Sequence, residues 1–487
     1  MIRFAGLLTV VTVALLSTLS AIQSKDAPAT SFRGRAIPRA TLYAQLCASC
    51  HGPTLQGGSA TSLVDDEWKH GSDDASIAKV IMEGAAGTPM APFKTLLDDQ
   101  QIRELIFYIR EQAVEAKGRP QLKVDPEGQV AKSQRQTVTL DVVVRGLETP
   151  WALAFLPDGK LLITERPGRL RIFEDGQLLP PVSGIPAVWT VQDGGLFDVE
   201  VHPDYARTGW IYLSYAEEGP EKSSMTRIVR GRIRNNAWVE QQDIYKAPPE
   251  LFYVANVHYG SRFIFDRQGH LFYSIGDRGR VEDAQDLSKP TGKIHRVNDD
   301  GSVPRDNPFV GRSGAVQSIW SYGHRNPQGF AFDPMTGKLW ATEHGPTGGD
   351  ELNIIEAGAN YGWAVVSFGL EPGISKSSQE GMQPPVTHWS PSIAPSGIAF
   401  YNGTRYPGWR NQLFVSALAG QHLRRLDVAG DKVVDQEVVF NEFGRVRDIV
   451  IGPDGHFYVA LNLPGQRLSD TTAGVVIRLV PVDISKD

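Results

Sequence analysis

Six times after residue 136 the same theme returns: a short apolar strand, a turn rich in Pro, Asp and Gly, then a strand of alternating polarity. The copies are Ala154-Phe-Leu-Pro-Asp-Gly-Lys-Leu-Leu-Ile163, Val201-His-Pro-Asp204 with Trp210-Ile-Tyr-Leu213, Phe265-Asp-Arg-Gln-Gly-His-Leu-Phe-Tyr273, Phe332-Asp-Pro-Met-Thr-Gly-Lys-Leu-Trp340, Phe400-Tyr-Asn-Gly403 with Gln412-Leu-Phe-Val415, and Gly452-Pro-Asp-Gly-His-Phe-Tyr-Val459. They stand roughly 45 to 70 residues apart, which leaves room for one four-stranded sheet per copy. Gly and Asp supply the αL or type I geometry these turns need, and the alternation gives each strand one buried face. The pattern predicts an all-β six-bladed β-propeller over residues 137–485. A β-sandwich would not explain so regular a repetition, and long helical stripes are absent from this region. The architecture by itself leaves function open, but it exposes loops of several blades at one end of a central channel, where polar residues can converge.

The residues before the repeats divide into three parts. Met1-Ile-Arg3, an apolar run from Phe4 to about Leu19, and the small residues Ser20 and Ala21 read as a secretory signal peptide over 1–21. The run is shorter than the ~20 residues a membrane span prefers, so no stable span is expected after cleavage and the chain is expected to be periplasmic or secreted. The 49 basic and 55 acidic residues give a net charge of −6 without a polybasic run, which argues against nucleic acid as a partner. The stretch 117–136, with Lys-Gly-Arg-Pro-Gln and Asp-Pro-Glu-Gly and little apolar content, reads as a linker.

Between signal and linker lies Cys47-Ala-Ser-Cys50-His51, which contains both cysteines of the chain. The pair is too closely spaced to staple a fold, leaving a redox dithiol, half a metal site, or haem attachment. His51 favours the last: two thiols form thioethers with haem vinyl groups and the imidazole ligates iron. A dithiol needs no such histidine, and zinc would need two more ligands that no second C-x-x-C or H-x-x-x-H provides. A coincidental reducible pair is the alternative. Downstream, Ile102, Leu105, Ile106 and Ile109 form one helical stripe with Asp98 as its N-cap. This all-α arrangement, over 35–116, resembles a small class I cytochrome c. In that family a thioether on a loop between prolines supplies the second iron ligand; Met90, in Gly87-Thr-Pro-Met-Ala-Pro-Phe93, matches it, whereas Met82 lies on a helical stripe and reads as core. Methionine ligation raises a haem potential and suits an electron acceptor.

Within the repeats six stretches stand out: Gln192-Asp-Gly-Gly195, Val257-His-Tyr-Gly-Ser-Arg262, Ile275-Gly-Asp-Arg-Gly279, Gly323-His-Arg-Asn-Pro-Gln328, Glu343-His-Gly-Pro-Thr-Gly-Gly-Asp-Glu351 and Gly444-Arg-Val-Arg447. Together, and in this order, they resemble the soluble quinoprotein glucose dehydrogenases and, more closely, the aldose sugar and sorbosone dehydrogenases. The resemblance implies oxidation of a sugar C1 hydroxyl to a lactone, with hydride passed to pyrroloquinoline quinone (PQQ) held over the propeller axis beside Ca²⁺. His258 matches the family's general base and Asp277 the residue that orients it; the hydroxyl proton must go to a base that titrates near neutrality. A structural histidine buttressing a turn is the rival account. Arg325 and Asn326 match the pair placed against the quinone carbonyl oxygens, where a fixed guanidinium stabilises developing negative charge. Gln192 matches a polar residue near the substrate, and Gln328 shares the arginine loop, which hydrogen bonds alone could also hold together.

The same resemblance assigns the backbone carbonyls of Gly345 and Pro346 to the cofactor calcium, a Lewis acid. It assigns Glu351 and Tyr361 to a second, structural calcium site, against the reading of Glu351 as a solvated loop carboxylate. Arg445 and Arg447 alternate on a strand and would direct both forks at the quinone carboxylates; an exposed surface pair is the alternative. Two positions depart from the glucose enzymes. Leu418-Ala-Gly420 stands where they carry a lysine, so Ala419 cannot donate and Arg424 or Arg425 would have to compensate. Val257 replaces their aspartate and removes one sugar contact.

A quinone relieved of two electrons and a fused haem that takes them singly imply an internal wire to an external carrier, such as a soluble cytochrome, a copper protein or a quinone-linked chain, with the linker governing how often the domains meet. The rivals are a calcium-dependent lactonase or esterase, needing neither the arginine pair nor haem, and a non-catalytic binding propeller with an attached cytochrome.

Overall fold

The computed structural model describes residues 31–118, 122–123, 125–462 and 474–482; the expected signal segment lies outside them. Four helices come first: α1 (Arg39–Leu46), α2 (Ala48–His51), α3 (Asp74–Glu83) and α4 (Asp99–Lys117). Asp98 caps α4 as expected, its side chain accepting from Gln101 N while the Gln101 side chain reaches back to the Asp98 N–H. Asp73 caps α3 in the same way through Ser76 N, 2.9 Å. The stripe Ile102, Leu105, Ile106 and Ile109 is buried against Leu42, Tyr43, Ile77 and Ile81, and Met82 packs at the edge of this core.

The strands of the described residues form six sheets, and each of the six sequence repeats falls on the turn from the innermost strand of a sheet to its second strand. The inner strands are Pro150–Phe155, Leu196–Val201, Phe263–Phe265, Pro327–Phe332, Pro395–Tyr401 and Arg445–Ile451, each packed against the next so that the ring closes from the last back to the first. This is the expected six-bladed propeller. Inner strands carry side chains buried on both faces, as in Pro150–Phe155 and Leu161–Glu165, because every blade is covered by two neighbours. The ring is sealed by pairing chain ends: Thr137–Leu147 lies between Gly474–Pro481 and the outermost strand of that sheet, with Leu140 opposite Leu479 and Val142 opposite Ile477.

That outermost strand, Val130–Lys132, lies inside the 117–136 stretch expected to be linker. Three residues give no measurable alternation; the strand exists because Thr137–Leu147 offers it an edge, which is tertiary context and not local pattern. Among the described residues no helix is long and apolar enough to cross a membrane.

Candidate active site

All six inner strands run the same way, so the loops leading into them and the loops leaving the antiparallel second strands gather at one end of the channel. Loops of the first kind bring Gln192, His258, Arg325 and Arg445; those of the second kind bring Arg166, Asp277 and the segment from His344 to Gly349. A cavity of about 920 Å³ opens at the other end, among Glu200, Asp266, Phe332 and Ile451, and is lined by none of the converging residues.

His258 sits at φ +52°, a left-handed conformation costly for a non-glycine residue. Its carbonyl lies so close to Gly276 that any Cβ there would overlap it, which explains the glycine before Asp277. Nδ1 meets Asp277 Oδ1 at 2.7 Å. A carboxylate partner puts the proton on Nδ1 and leaves Nε2 as an acceptor. The same Oδ1 accepts from Gly279 N at 2.8 Å, and Oδ2 from Trp363 Nε1 at 2.7 Å. Burial pushes the Asp277 carboxyl up, but the hydrogen bond and charge of His258, the Gly279 N–H and nearby Arg325 together hold it below its ordinary value.

Arg325 donates its backbone N–H to Glu343 Oε2 at 2.7 Å and lies 5.3 Å from the Trp363 ring centroid. Asn326 Oδ1 accepts from Gly260 N, and Gln328 Nε2 donates to Gly260 O and Asn326 Oδ1, so both side chains brace the histidine loop. Gln328 Oε1 also accepts from Arg447 Nη1 at 3.3 Å. Gln192 is exposed at φ +51°, and its carbonyl accepts from Arg166 Nη1 at 2.9 Å.

Arg166, Arg325, Arg445 and Arg447 thus crowd one mouth. Burial holds all four below the usual guanidinium range; for Arg447, repulsion from Arg445, Arg262 and Arg166 adds to it and brings the group to about 9. The Nε atoms of Arg325 and Arg447 are buried without a hydrogen-bond partner. His344 is neutral, pushed down to about 3 by burial and then by Arg325 and Arg447; its Nε2–H donates to Pro395 O at 2.8 Å.

Gly345 and Pro346 lie beside these groups, and neither carbonyl accepts a hydrogen bond among the described residues. Glu351 and Tyr361 line, together with Glu343, Gly345 and Pro346, one small cavity of about 10 Å³. Glu351 is half-buried on the strand Asp350–Ile355 and accepts from Asn353 Nδ2 at 3.1 Å, so it is not a solvated loop carboxylate; burial and then Glu343 raise it well above the carboxylate range, and the Tyr361 hydroxyl donates to Ile354 O. Ala419 offers only its backbone, and neither expected substitute for the lysine is free: Arg424 is held by His422 and Gln436, Arg425 by Glu437, Gln412 and Asp435.

Two contributors, Arg166 and Trp363, escape motif reading, and a third, Arg278, stands in the quoted Ile275-Gly-Asp-Arg-Gly279 stretch without a role assigned to it. Arg166 follows the second strand of its blade, the place Asp277 and His344 occupy in theirs, so register within the repeats could have revealed it. Trp363 ties Asp277 to Arg325 from a distant loop. Arg278 is fully buried and donates to the Ala255 carbonyl at 2.7 Å and to that of Val257, pinning the segment before His258.

In the helical region, Cys47 begins α2 and Cys50 and His51 lie on it; both thiols are free. His51 Nδ1 pairs with Thr61 O at 2.8 Å, which protonates Nδ1 and leaves Nε2 available. Met90 is fixed at both backbone ends, its N–H donating to Thr88 Oγ1 and its carbonyl accepting from Ala85 N.

Residues 147–469 match the family model described as Glucose / Sorbosone dehydrogenase, and residues 36–109 that described as Cytochrome C oxidase, cbb3-type, subunit III. Aldose sugar dehydrogenase YliI of Escherichia coli (strain K12) is 40% identical over 356 residues, 71% of this chain and 93% of its own length. Quinoprotein glucose dehydrogenase B of Acinetobacter calcoaceticus is 28% identical over 428 residues, 70% of this chain and 89% of its own. The solved PQQ-bound form of aldose sugar dehydrogenase from Streptomyces coelicolor superposes with a TM-score of 0.58 at 27% identity, covering 73% of this chain and 100% of that one.

Proposed function

This chain belongs to the glucose / sorbosone dehydrogenase family, and from that premise we propose that it oxidises the C1 hydroxyl of aldose sugars, or of related sugar aldehydes, with PQQ. Electrons then leave through haem c on its own helical domain, of class I type, to an external carrier outside the cytoplasm. The observation that carries this reading is the pairing of the His258–Asp277 dyad with an over-charged arginine mouth in which two guanidinium Nε atoms lack partners.

The residues fit the groups this function requires. Four guanidinium groups, none in a direct ion pair among the described residues and three of them sharing Asp193 as a nearby carboxylate, suit a polyanion, and forks at Arg445 and Arg447 would hold its carboxylates bidentately. Arg325 and Asn326 would face its carbonyl oxygens. The unengaged carbonyls of Gly345 and Pro346 suit a hard cation such as Ca²⁺, whereas Glu351 and Tyr361 would contribute to a second calcium. Cys47, Cys50 and the free Nε2 of His51 would suit covalent haem, and Met90 would supply a further iron ligand. Bound there, PQQ supplies a two-electron acceptor and calcium a Lewis acid.

The chain's own part is proton handling and positioning. Nε2 of His258 takes the C1 hydroxyl proton; Asp277 keeps the imidazole in the accepting tautomer and then stabilises the imidazolium. Gly279 and Arg325 help keep Asp277 ionised, and Trp363 fixes its second oxygen. The lactonase reading required neither the arginines nor the C-x-x-C-H segment, and this chain has both. The test is sugar-dependent dye reduction by purified protein. We expect it only when PQQ and Ca²⁺ are both added; no reduction over a broad aldose panel with both present would overturn the reading.

A further inference from the structure

Helix α4 has a second face. Its core stripe runs through Ile102, Leu105, Ile106 and Ile109, yet Phe107 is only 4% exposed while belonging to no helical core contact set. What covers it is the propeller. A Cβ added to Gly348 would overlap the Phe107 ring, and Arg39 caps the ring from the other side with its guanidinium 4.7 Å from the centroid. One turn earlier, Arg103 Nη2 donates to Ser367 O at 2.8 Å and also to Gly369 O. Arg103 and Phe107 are four residues apart and so share a helix face. Gly369 in turn abuts the Gly348 carbonyl and the Pro346 ring closely enough that neither neighbour leaves room for a Cβ.

We propose that Arg103 and Phe107 form a latch that holds the helical domain on the 345–349 loop, so that electrons pass within one docked unit and not through chance encounters across a tether. This rests on the dehydrogenase reading for its electrons, but the latch itself is a contact of this chain. Arg103 is a positioning residue: it touches no reacting atom. Its two acceptors are neutral carbonyls, which tolerate no anion in its place. Gly348, at φ +71°, can accept neither a side chain nor its strain.

The experiment uses the full-length haem-loaded protein and the Arg103→Glu/Phe107→Ala variant, with intact ferrous haem absorbance as the folding check. Small-angle scattering should show a larger radius of gyration for the variant. Gly348→Ala, made on the propeller side, should shift it in the same direction. With PQQ, Ca²⁺ and sugar under anaerobic conditions, haem reduction in the double variant should slow by about tenfold or more, the range over which tethering geometry changes effective concentration. Dye-linked turnover should stay within about twofold of the unaltered protein, since the dye needs no docking. Unchanged scattering overturns the latch; expanded scattering with unchanged haem reduction overturns its role in electron delivery. Absent dye turnover in the unaltered protein would instead sink the dehydrogenase reading, while scattering would still decide the latch.

Discussion

Both carboxylate oxygens of Asp277 are engaged: His258 and Gly279 on one, Trp363 on the other. Asp277→Asn would present an amide donor to at least one donor partner and favour the wrong histidine tautomer. We expect kcat to fall about 10²–10⁴-fold with folding intact, the scale on which orienting carboxylates act, measured as dye-linked turnover beside a melting curve. Arg447 shows the opposite balance between stability and function. Its neighbours repel it and its Nε is unpartnered, so Arg447→Gln should raise the melting temperature of the cofactor-free protein. It should also weaken PQQ binding by about 10–100-fold, equivalent to losing a charged hydrogen bond of about 1.5–3 kcal/mol; melting curves of the two cofactor-free proteins check the first sign and a titration with PQQ the second. The residues of this dyad and mouth were legible as types in motifs, because histidine, aspartate and arginine among glycines are conspicuous. Trp363 and Arg166 were not, since a lone aromatic or arginine looks like core or surface until folding places it.

At the level of strands and turns, the Pro-Asp-Gly theme located all six inner-to-second connections, because turn chemistry is local. The strand Val130–Lys132 could not be seen, being stabilised only by its neighbour. The buried ion pairs of Arg262 with Asp198 and Asp448 were equally hidden, since each charge finds its partner on another blade. Gly276 illustrates how an element end serves the site. It ends the strand Leu271–Ile275, where the His258 and Arg325 carbonyls converge on the space a side chain would need. Gly276→Ala should displace the histidine loop, costing about 1–3 kcal/mol by overpacking and lowering kcat with little change in sugar KM. Denaturant midpoints and turnover would read the two effects separately.

The molecule as a whole hides neutral imidazoles. His295, His344 and His422 are each held near 3 by burial first. Their folded values lie below the unfolded 6.5, so the unfolded chain binds more protons between those limits and stability drains away as pH falls through that window. Each contributes up to about 2 kcal/mol of loss by pH 5. We expect the denaturant midpoint to drop between pH 7 and 5, and His295→Gln, which replaces a ring bonded to Pro290 and Ser318, to flatten part of that slope; an unchanged slope would assign the acid sensitivity elsewhere. Ring closure has a kinetic corollary. The strand Thr137–Leu147 emerges from the ribosome soon after the helical region, but its mate Gly474–Pro481 is made only after the other five blades. Until that strand is made, the toroid stays an open crescent with a sticky seam, and a polypeptide cut short before it would display two unpaired edges inviting aggregation.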